Sequence, residues 1–337
     1  MILRLLATLP LIAILLTPAA GQERVTVGTE RLVTSGALFL AATQGYFKAE
    51  GLDVEMMAYP SPQAVVEALA GGATDFGVAE FTGAAFNLAG KGSIKAIAAQ
   101  VREKRDFEGS DIVASSAGYN KGLRKPEDLA GKSVAVTDLG SIWHYQLGQI
   151  ARVKHFDLAA VVVKPMRSID GVMRAVGSGE VDAAILPAQY AREVLTASQG
   201  RLIAWVSELD EPQMGALFAS AATIEGRRAT VEKFLRAYRR GATDYNMALM
   251  RRDKYTKRVM DATSQAAAAS IARYVFPGKT GKAAADAAEA VQASAFYMEP
   301  QARLDLGDIE RQIDWHKAQN LIDRTVTVRN VVDSNFR

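Results

Sequence analysis

The chain has 337 residues, 49% of them hydrophobic, which is enough to bury the core of one large domain or of two ordinary ones. Its 40 Lys and Arg residues nearly balance its 37 Asp and Glu residues, so bulk charge argues against nucleic-acid binding. The absence of Cys excludes disulfides, thiol nucleophiles and thiolate metal sites.

The N-terminus has the pattern of an export signal. Arg4 precedes the apolar run Leu5–Leu16, and Pro18–Gly21 supplies the small residues of a cleavage site. The run is shorter than the roughly 20 residues of a membrane span. We therefore expect residues 1–21 to be a signal peptide, cleaved near Ala20–Gln22, and the mature protein to be periplasmic. An uncleaved N-terminal anchor is the alternative.

Strands and helices alternate over the first hundred residues of the mature chain. Strands are predicted at Val25–Glu30, Leu52–Met56, Phe76–Ala79 and Ile94–Val101. The intervening helices are predicted at Ala37–Phe47, from Pro62 to the glycines at 71 and 72, and at Phe81–Ala89. This alternation predicts a mainly parallel sheet with helices on both faces.

A second unit follows the charged stretch Arg102–Gly109, which we interpret as a crossover between lobes. Its strands are predicted at Asp111–Ser115, Ser133–Val136, Val161–Lys164, Val181–Leu186 and Arg201–Ser207. The segment Glu208–Gln213 is predicted to return the chain to the first lobe, and the remainder is predicted to be mainly helical. The alternating stretch Val326–Phe336 is expected to add an edge strand or to wrap the first lobe.

An internal repeat supports two similar lobes. At an offset of 107 residues, Val65, Ala68, Gly72 and Asp75 meet Val172, Ala175, Gly179 and Asp182. In both copies a Gly is expected to end a helix in a left-handed conformation, and the Asp to hold turn amides at the start of a strand. We predict an α/β protein with lobe 1 at 22–105 plus 212–337 and lobe 2 at 106–211.

Four phrases carry a resemblance to a known family. They are GYFKAEGLDVE (45–55), ALAGGATDFGVA (68–79), EDLAGKSVAV (127–136) followed by Gly140-Ser141, and AVGSGEVDAAILP (175–187). In this order they resemble the periplasmic solute-binding proteins of ABC importers, in the branch that serves taurine, alkanesulfonates, nitrate and thiamine-precursor pyrimidines. The resemblance covers roughly Val25–Tyr245. It implies a two-lobe type II periplasmic-binding-protein fold with a crossed hinge, a small-molecule ligand and a permease partner in the inner membrane, and we expect a monomer.

The ends of the predicted strands select candidate ligand-binding residues, because ligands of open α/β sheets lie beyond the carboxyl ends of the strands. In the first lobe the candidates are Thr34, Ser35, Gly36, Glu80, Phe81, Thr82 and Gln100. In the second lobe they are Gly140, Ser141, Ile142, Trp143, Arg167, Pro187, Gln189 and Tyr190. The resemblance implies family contacts in these same loops.

Gly140-Ser141 stands out because a helix N-terminus offers free amides to an anionic oxygen. An ordinary N-cap serine is the alternative reading. Trp143 and Tyr190 are positioned to stack on a planar ligand, or else belong to the core.

The charge of the ligand stays open. Glu80 would bind an amine, whereas Arg31 and Arg167 would bind a carboxylate or sulfonate. Alternatively, one of the two arginines neutralises Glu80. A ligand with both an acidic and an amino or heterocyclic group satisfies both signs.

Catalysis is not expected. The three His residues have no nucleophile or acid at a recognised spacing, no Gly-rich phosphate loop is present, and no metal-binding or cofactor-binding motif is found. Two alternatives remain: a stand-alone ligand sensor of the same fold that signals to a membrane receptor, and an enzyme that makes a thiamine precursor.

Overall fold

The computed structural model describes residues 21–255 and 257–336. The expected signal peptide, except for Gly21, lies outside the described residues. The strands are β1 (Glu23–Thr29), β2 (Leu52–Ala58), β3 (Phe76–Glu80), β4 (Ile94–Ala99), β5 (Ser110–Ser115), β6 (Ser133–Val136), β7 (Val162–Pro165), β8 (Ala183–Pro187), β9 (Gly200–Trp205) and β10 (Gly215–Ser220).

The α-helices alternate with these strands and then dominate the C-terminal third. They are α1 (Gly36–Thr43), α2 (Tyr46–Ala49), α3 (Pro62–Ala70), α4 (Gly83–Gly90), α5 (Ser116–Asn120), α6 (Ile142–Val153), α7 (Ile169–Ser178), α8 (Ala188–Thr196), α9 (Ala221–Gly226), α10 (Arg228–Leu249), α11 (Ala262–Val275), α12 (Gly281–Ala293), α13 (Leu306–Ala318) and α14 (Val328–Val331). Short 3-10 helices lie at Val33–Ser35, Pro126–Leu129, Leu158–Ala160, Val206–Glu208 and Ser334–Phe336.

The strands form two five-stranded sheets of the same topology, in the orders β2-β1-β3-β10-β4 and β7-β6-β8-β5-β9. In each sheet one strand, β10 or β5, runs antiparallel to both of its neighbours, and the other strands are parallel to one another. The antiparallel strand is the one that follows a crossover between the sheets. The predicted mainly parallel α/β architecture is therefore confirmed, whereas the lobe boundaries at 105 and 211 stay a prediction.

Strand β10 corrects the sequence-based prediction, which treated the chain beyond Gln213 as mainly helical. Gly215–Ser220 lies in the first sheet between β3 and β4, and all six residues are buried. A fully buried strand lacks the alternation of polar and apolar residues, so a short apolar run cannot be distinguished from a helix by periodicity. The predicted helix Ala37–Phe47 is also wrong in detail, because Gly45, at φ +72°, separates α1 from α2.

Helices cover both faces of the first sheet. One face packs against α1, α10 and α11 in a large apolar cluster that includes Phe76 and Phe234, whose rings stack 4.0 Å apart. The other face packs against α3, α4 and α13 in a second cluster around Phe81 and Phe86. This burial on both faces fits the apolar composition of the strands.

The internal repeat is visible as one hydrogen-bonding arrangement that occurs twice. The Asp75 carboxylate accepts the Thr26 amide at 2.9 Å, and the Asp182 carboxylate accepts the Ser133 amide at 2.9 Å. The paired residues again differ by 107 positions. Gly72 and Gly179 both have left-handed backbones, with φ values of +78° and +79°, as expected. The aspartates, however, bond the neighbouring strand, not turn amides.

The C-terminal region wraps the first lobe and touches the second. Ala96 of β4, an edge strand, pairs in a single bridge with Val332, so the tail adds a short helix there, not a full strand. Helix α13 contacts α6, and α12 contacts α8; both α6 and α8 are helices of the second lobe. The tail therefore contributes to the contact between the lobes.

Candidate functional site

A crevice of about 460 Å³ lies between the lobes at the carboxyl ends of the parallel strands. Its walls come from the loops after β1 and β2 and from the first turns of α7 and α8. The lining residues are Glu30, Arg31, Leu32, Ala58, Tyr59, Pro60, Ser168, Ile169, Asp170 and Tyr190. Small-molecule sites typically enclose roughly 300–1,000 Å³, so this space suits a small ligand.

Two larger hollows lie elsewhere. One of about 550 Å³ is lined by helices α1, α10 and α11, and another of about 700 Å³ lies between α7 and α8. Neither lies at the strand ends that the topology selects for ligands, and each is lined by one lobe only. The inter-lobe crevice is therefore the better candidate.

The first lobe contributes buried polar groups to this edge. Glu30 follows β1 directly, Glu80 ends β3 and Gln100 follows β4. Their side chains are at most 5% exposed, yet Oε2 of each glutamate, Oε1 of Gln100 and the Thr34 hydroxyl have no partner among the described residues. Buried polar atoms are normally hydrogen-bonded, so such a concentration of unpartnered ones indicates a ligand site.

Glu30 and Glu80 form an acidic pair at the centre of this edge. Burial, followed by the neighbouring Glu80 carboxyl and the charge of Asp138, raises the pKa of Glu30 well above its usual range. The best partner of Glu80 is the Gln100 amide, whose Nε2 lies 3.5 Å from Oε1. The Arg31 and Arg167 side chains are exposed, so neither arginine neutralises the pair within the buried region.

The second lobe contributes a matching set of groups. Thr137 follows β6, Trp143 lies in the first turn of α6 and Gln189 in that of α8. All three are buried, and their hydroxyl, indole and amide groups find no hydrogen-bond partner in the described part of the chain. Tyr190 lines the crevice, and burial raises its pKa to about 12, so its hydroxyl is neutral.

Gly140 joins the lobes instead of presenting an open amide. Its amide donates to Nδ1 of His144 at 3.0 Å, and its carbonyl accepts the Gly83 amide at 2.9 Å. Nε2 of His316 lies 3.0 Å from the same carbonyl. The Ser141 hydroxyl accepts the His144 amide, as an ordinary N-cap does. The ligand contacts expected for Gly140 and Ser141 stay predictions.

The other candidates divide between packing and exposed positions. Phe81, Ile142 and Pro187 are buried apolar residues, and Phe81 stacks on Phe86. The Thr82 hydroxyl caps α4, and the Ser35 hydroxyl accepts a bond from Thr29.

Gly36 and Arg167 also differ from the polar groups of the crevice. A Cβ at Gly36 would lie 2.4 Å from Tyr245, so this glycine permits close packing on α10. Arg167 is exposed and has a left-handed backbone at φ +65°.

Sequence reasoning missed three polar residues at this edge. Glu30 and Thr137 are the first residues after β1 and β6. Glu30 was missed because its strand was predicted to end one residue too late, whereas Thr137 directly follows a strand predicted at its observed bounds and was available to the strand-end rule. Asp111 lies inside β5, is fully buried, and has both carboxylate oxygens unpartnered within the described ranges. Burial raises its pKa to about 8. The sequence signal that could have identified Asp111 was an acidic residue inside a strand that is otherwise mostly apolar.

The two crossover segments bond to each other. The Glu103 amide donates to the Pro212 carbonyl, and the Met214 amide donates to the Val101 carbonyl, both at 2.9 Å. The Glu103 carboxylate is fully buried, and it accepts bonds from the Ser110 amide and from Gln146 of α6. Burial raises its pKa to about 8. This arrangement links the crossovers to the second lobe.

Two further properties concern the described residues as a whole. They contain no group of three or more His, Cys, Asp or Glu side chains arranged to hold a metal ion. Among them, no helix combines the length and the apolar character needed to cross a membrane.

Comparison with known proteins agrees with this geometry. The NMT1/THI5-like family model matches residues 34–248, whereas no curated protein matches the chain. The fold is similar to that of the ligand-binding component of an ABC-type import system from Staphylococcus aureus, with a TM-score of 0.72 and 11% identity over 94% of this chain and 98% of that chain.

Two more solved structures share the fold. The alkanesulfonate-binding protein SsuA from Xanthomonas axonopodis pv. citri, bound to MOPS, has a TM-score of 0.70 and 18% identity over 94% of this chain and 99% of that chain. The periplasmic nitrate-binding protein NrtA from Synechocystis PCC 6803 has a TM-score of 0.70 and 10% identity over 93% and 86%. The chain thus belongs to the NMT1/THI5-like family and has the type II periplasmic-binding-protein fold of ABC-importer solute-binding proteins.

Proposed function

We propose that this protein is the periplasmic solute-binding component of an ABC importer, which captures a small polar organic molecule between its lobes and delivers it to a permease. The observation that carries the proposal is an inter-lobe crevice at an edge where the strand ends of both lobes carry buried, unpartnered polar groups. A ligand that bonds to both sets stabilises the arrangement in which the lobes meet, and so has the differential affinity that closure requires.

The proposed binding residues are Tyr190 and Glu30 of the crevice wall together with strand-end residues and residues in the first turns of helices that present an unpartnered buried group. They are Glu30, Thr34, Glu80, Gln100, Thr137, Trp143, Gln189 and Tyr190. The hinge is proposed at the paired crossovers, and the bond between Gly83 and Gly140 belongs to the closed form. We propose that the chain acts as a monomer after export and removal of residues 1–21.

We infer binding without catalysis. The similar structures reported above are ligand-binding proteins of transport systems. His144 accepts the Gly140 amide at Nδ1 and contacts the Trp315 ring. Burial lowers its pKa to about 4, so it is neutral near pH 7 and already held in structural contacts.

A ligand screen tests the proposal. The exported protein is purified and its thermal midpoint is measured against sulfonates, nitrate, aromatic carboxylates, amines, amidines and aminopyrimidines. A ligand that binds only the folded state raises the midpoint by mass action. Native mass spectrometry checks for a co-purified molecule. One responding class or one retained solute supports the proposal, whereas turnover of the bound molecule, or no ligand by either method, contradicts it.

A further inference from the structure

The acidic pair Glu30 and Glu80 places two buried carboxyl groups at the inner edge of the crevice. The two glutamates end or follow neighbouring parallel strands, β1 and β3, and are 5% and 1% exposed. Glu30 lines the crevice. The Glu80 carboxyl is within hydrogen-bonding reach of the Glu30 carboxyl. Each retains one oxygen without a partner among the described residues.

The charged groups that act on Glu30 are acids. Besides Glu80, the charge of Asp138 also raises the pKa of Glu30, and no cationic side chain among the described residues lowers it. Arg31 lines the crevice with an exposed side chain and does not reach the buried pair. Arg167, which is also exposed, acts on Asp138. An anionic ligand placed against the buried pair would therefore lose its hydration beside carboxyl groups. The repulsion between like charges grows as the dielectric constant falls.

The remaining unpartnered groups nearby suit a polar organic ligand and not a bare ion. The Thr34 and Thr137 hydroxyls and the Gln189 amide can each donate or accept. The half-buried Tyr190 ring provides an apolar surface on the wall of the crevice. These groups come from both lobes and follow or begin elements at the same edge as the acidic pair.

We infer that the crevice binds an organic cation that presents two or more N–H donors to Glu30 and Glu80, as an amine, amidine, guanidine or protonated aminoheterocycle does. This inference rests on the proposed function and specifies the class of its ligand. The two unpartnered carboxylate oxygens accept the donors. Charge-assisted bonds of this kind are the strong ones in proteins.

The test compares matched cationic and anionic probes. Benzamidine, agmatine and 4-aminopyridine serve as cations, and benzenesulfonate, methanesulfonate, benzoate and nitrate serve as anions. Titration calorimetry and thermal midpoints at pH 7.5 are expected to show binding of at least one cation and of none of the anions. Binding of anions alone overturns the inference while leaving solute binding in place, and binding of none of the cations also overturns it.

Isosteric variants connect the binding to the pair. Glu30→Gln and Glu80→Gln are each expected to weaken the affinity for the responding cation by about 10- to 100-fold, because each removes a charged acceptor. Glu67→Gln, at an exposed position on α3, is the matched control and is expected to bind as wild type does.

The midpoint of each ligand-free variant separates a binding role from a structural one. Both variants are expected to keep or exceed the wild-type midpoint, because each removes one of two neighbouring buried acids. A variant that binds the cation as tightly as wild type, or that lowers the ligand-free midpoint by several degrees, overturns the inference.

Discussion

The amide of Gly83 donates to the carbonyl of Gly140 over 2.9 Å, and this bond joins the first turn of α4 to the loop that precedes α6. The two residues lie in different lobes, beside strands of different sheets. Because His316 of α13 contacts the same carbonyl, one peptide group of the second lobe is held by two elements that pack on the first. Substitutions at these residues can therefore test how this contact between the lobes contributes to closure.

Gly83→Pro is expected to weaken closure. Gly83 is the first residue of α4, where proline is tolerated, and Thr82 already has the extended backbone that precedes proline. The substitution removes only the inter-lobe donor and places ring atoms beside the Gly140 carbonyl. Ligand affinity is expected to fall about threefold to tenfold, and X-ray scattering to show a larger radius of gyration.

Gly83→Ala is the control for that change, since it keeps the donor. Its Cβ would lie 3.3 Å from the Leu321 carbonyl, which demands only a small adjustment. Equal affinities for the alanine and proline variants would show that the bond does not contribute to closure.

Gly148→Ala is expected to disturb the packing of α6 on α13. A Cβ at Gly148 would lie 2.4 Å from Nε1 of Trp315, a bulky ring that also contacts His144 and Tyr145. Overpacking of this kind typically costs about 1–3 kcal/mol. Chemical denaturation is expected to show that loss, and Trp fluorescence to change because the ring moves.

Gly177→Ala provides the comparison for Gly148→Ala. Gly177 is also inside a helix, but its Cβ would meet the end of the flexible Gln199 side chain. Since alanine favours helix over glycine by about 1 kcal/mol, this variant is expected to match or exceed wild-type stability. A loss as large as that of Gly148→Ala would mean that the contact with Trp315 is not the cause.

Asp182→Ala and Asp75→Ala are expected to lower stability and leave ligand affinity unchanged. Each removes a carboxylate that accepts an amide and a hydroxyl of the neighbouring strand, at a cost of about 1–3 kcal/mol. The loss is expected to be larger for Asp75, which also pairs with Arg227.

Denaturant titration and calorimetry measure the two effects of these substitutions separately. Asp53→Ala, at an exposed position on β2, is expected to stay within about 0.5 kcal/mol of wild type. A tenfold loss of ligand affinity in Asp182→Ala would contradict a purely structural role.

The ligand-free protein is expected to lose stability as the pH rises from 6.5 to 8. Glu103 and Asp111 have native pKa values of about 8, above those of the unfolded chain, so the native state binds more protons in this window. The free energy of unfolding then falls with pH. His144 acts in the opposite direction, but only up to pH 6.5, because its native pKa is lowered to about 4.

Glu103→Gln is expected to reduce that slope by as much as about 1.4 kcal/mol per pH unit. Denaturant titrations at pH 6.5, 7.25 and 8 measure the slope for wild type and variant. Glu55→Gln, at a position that is not buried, is expected to leave it unchanged. A wild-type slope that is flat or positive would show that these acids are ionised in the native protein.

Local pattern was sufficient for most of the fold. The strand at Ser133–Val136 was predicted at its observed bounds, and most others to within two residues. These elements depend on a Gly turn followed by an apolar run, and both signals lie close together in the sequence. β10 was missed because its place between β3 and β4 depends on pairing with residues more than a hundred positions away. The C-terminal alternation likewise formed a short helix once it packed on β4.

The candidate site was predictable only in part. The strand-end rule selected Glu80, Gln100 and Gln189, which carry unpartnered atoms in the structure. It passed over Glu30, which had been counted as the end of its strand. It also could not show that Phe81 packs into an apolar cluster while its neighbour Glu80 belongs to the acidic pair, since that depends on side-chain direction.

The sequence by itself determined the alternation of strands and helices, the repeat at 107 residues and the edge at which a ligand binds in such sheets, because these depend on short-range pattern. Only the tertiary structure brought the two glutamates of the acidic pair together. Glu30 and Glu80 are 50 positions apart, and the arginines that seemed able to balance them are exposed. Charges interact through distance and burial, and neither is set until the strands pair and the lobes meet.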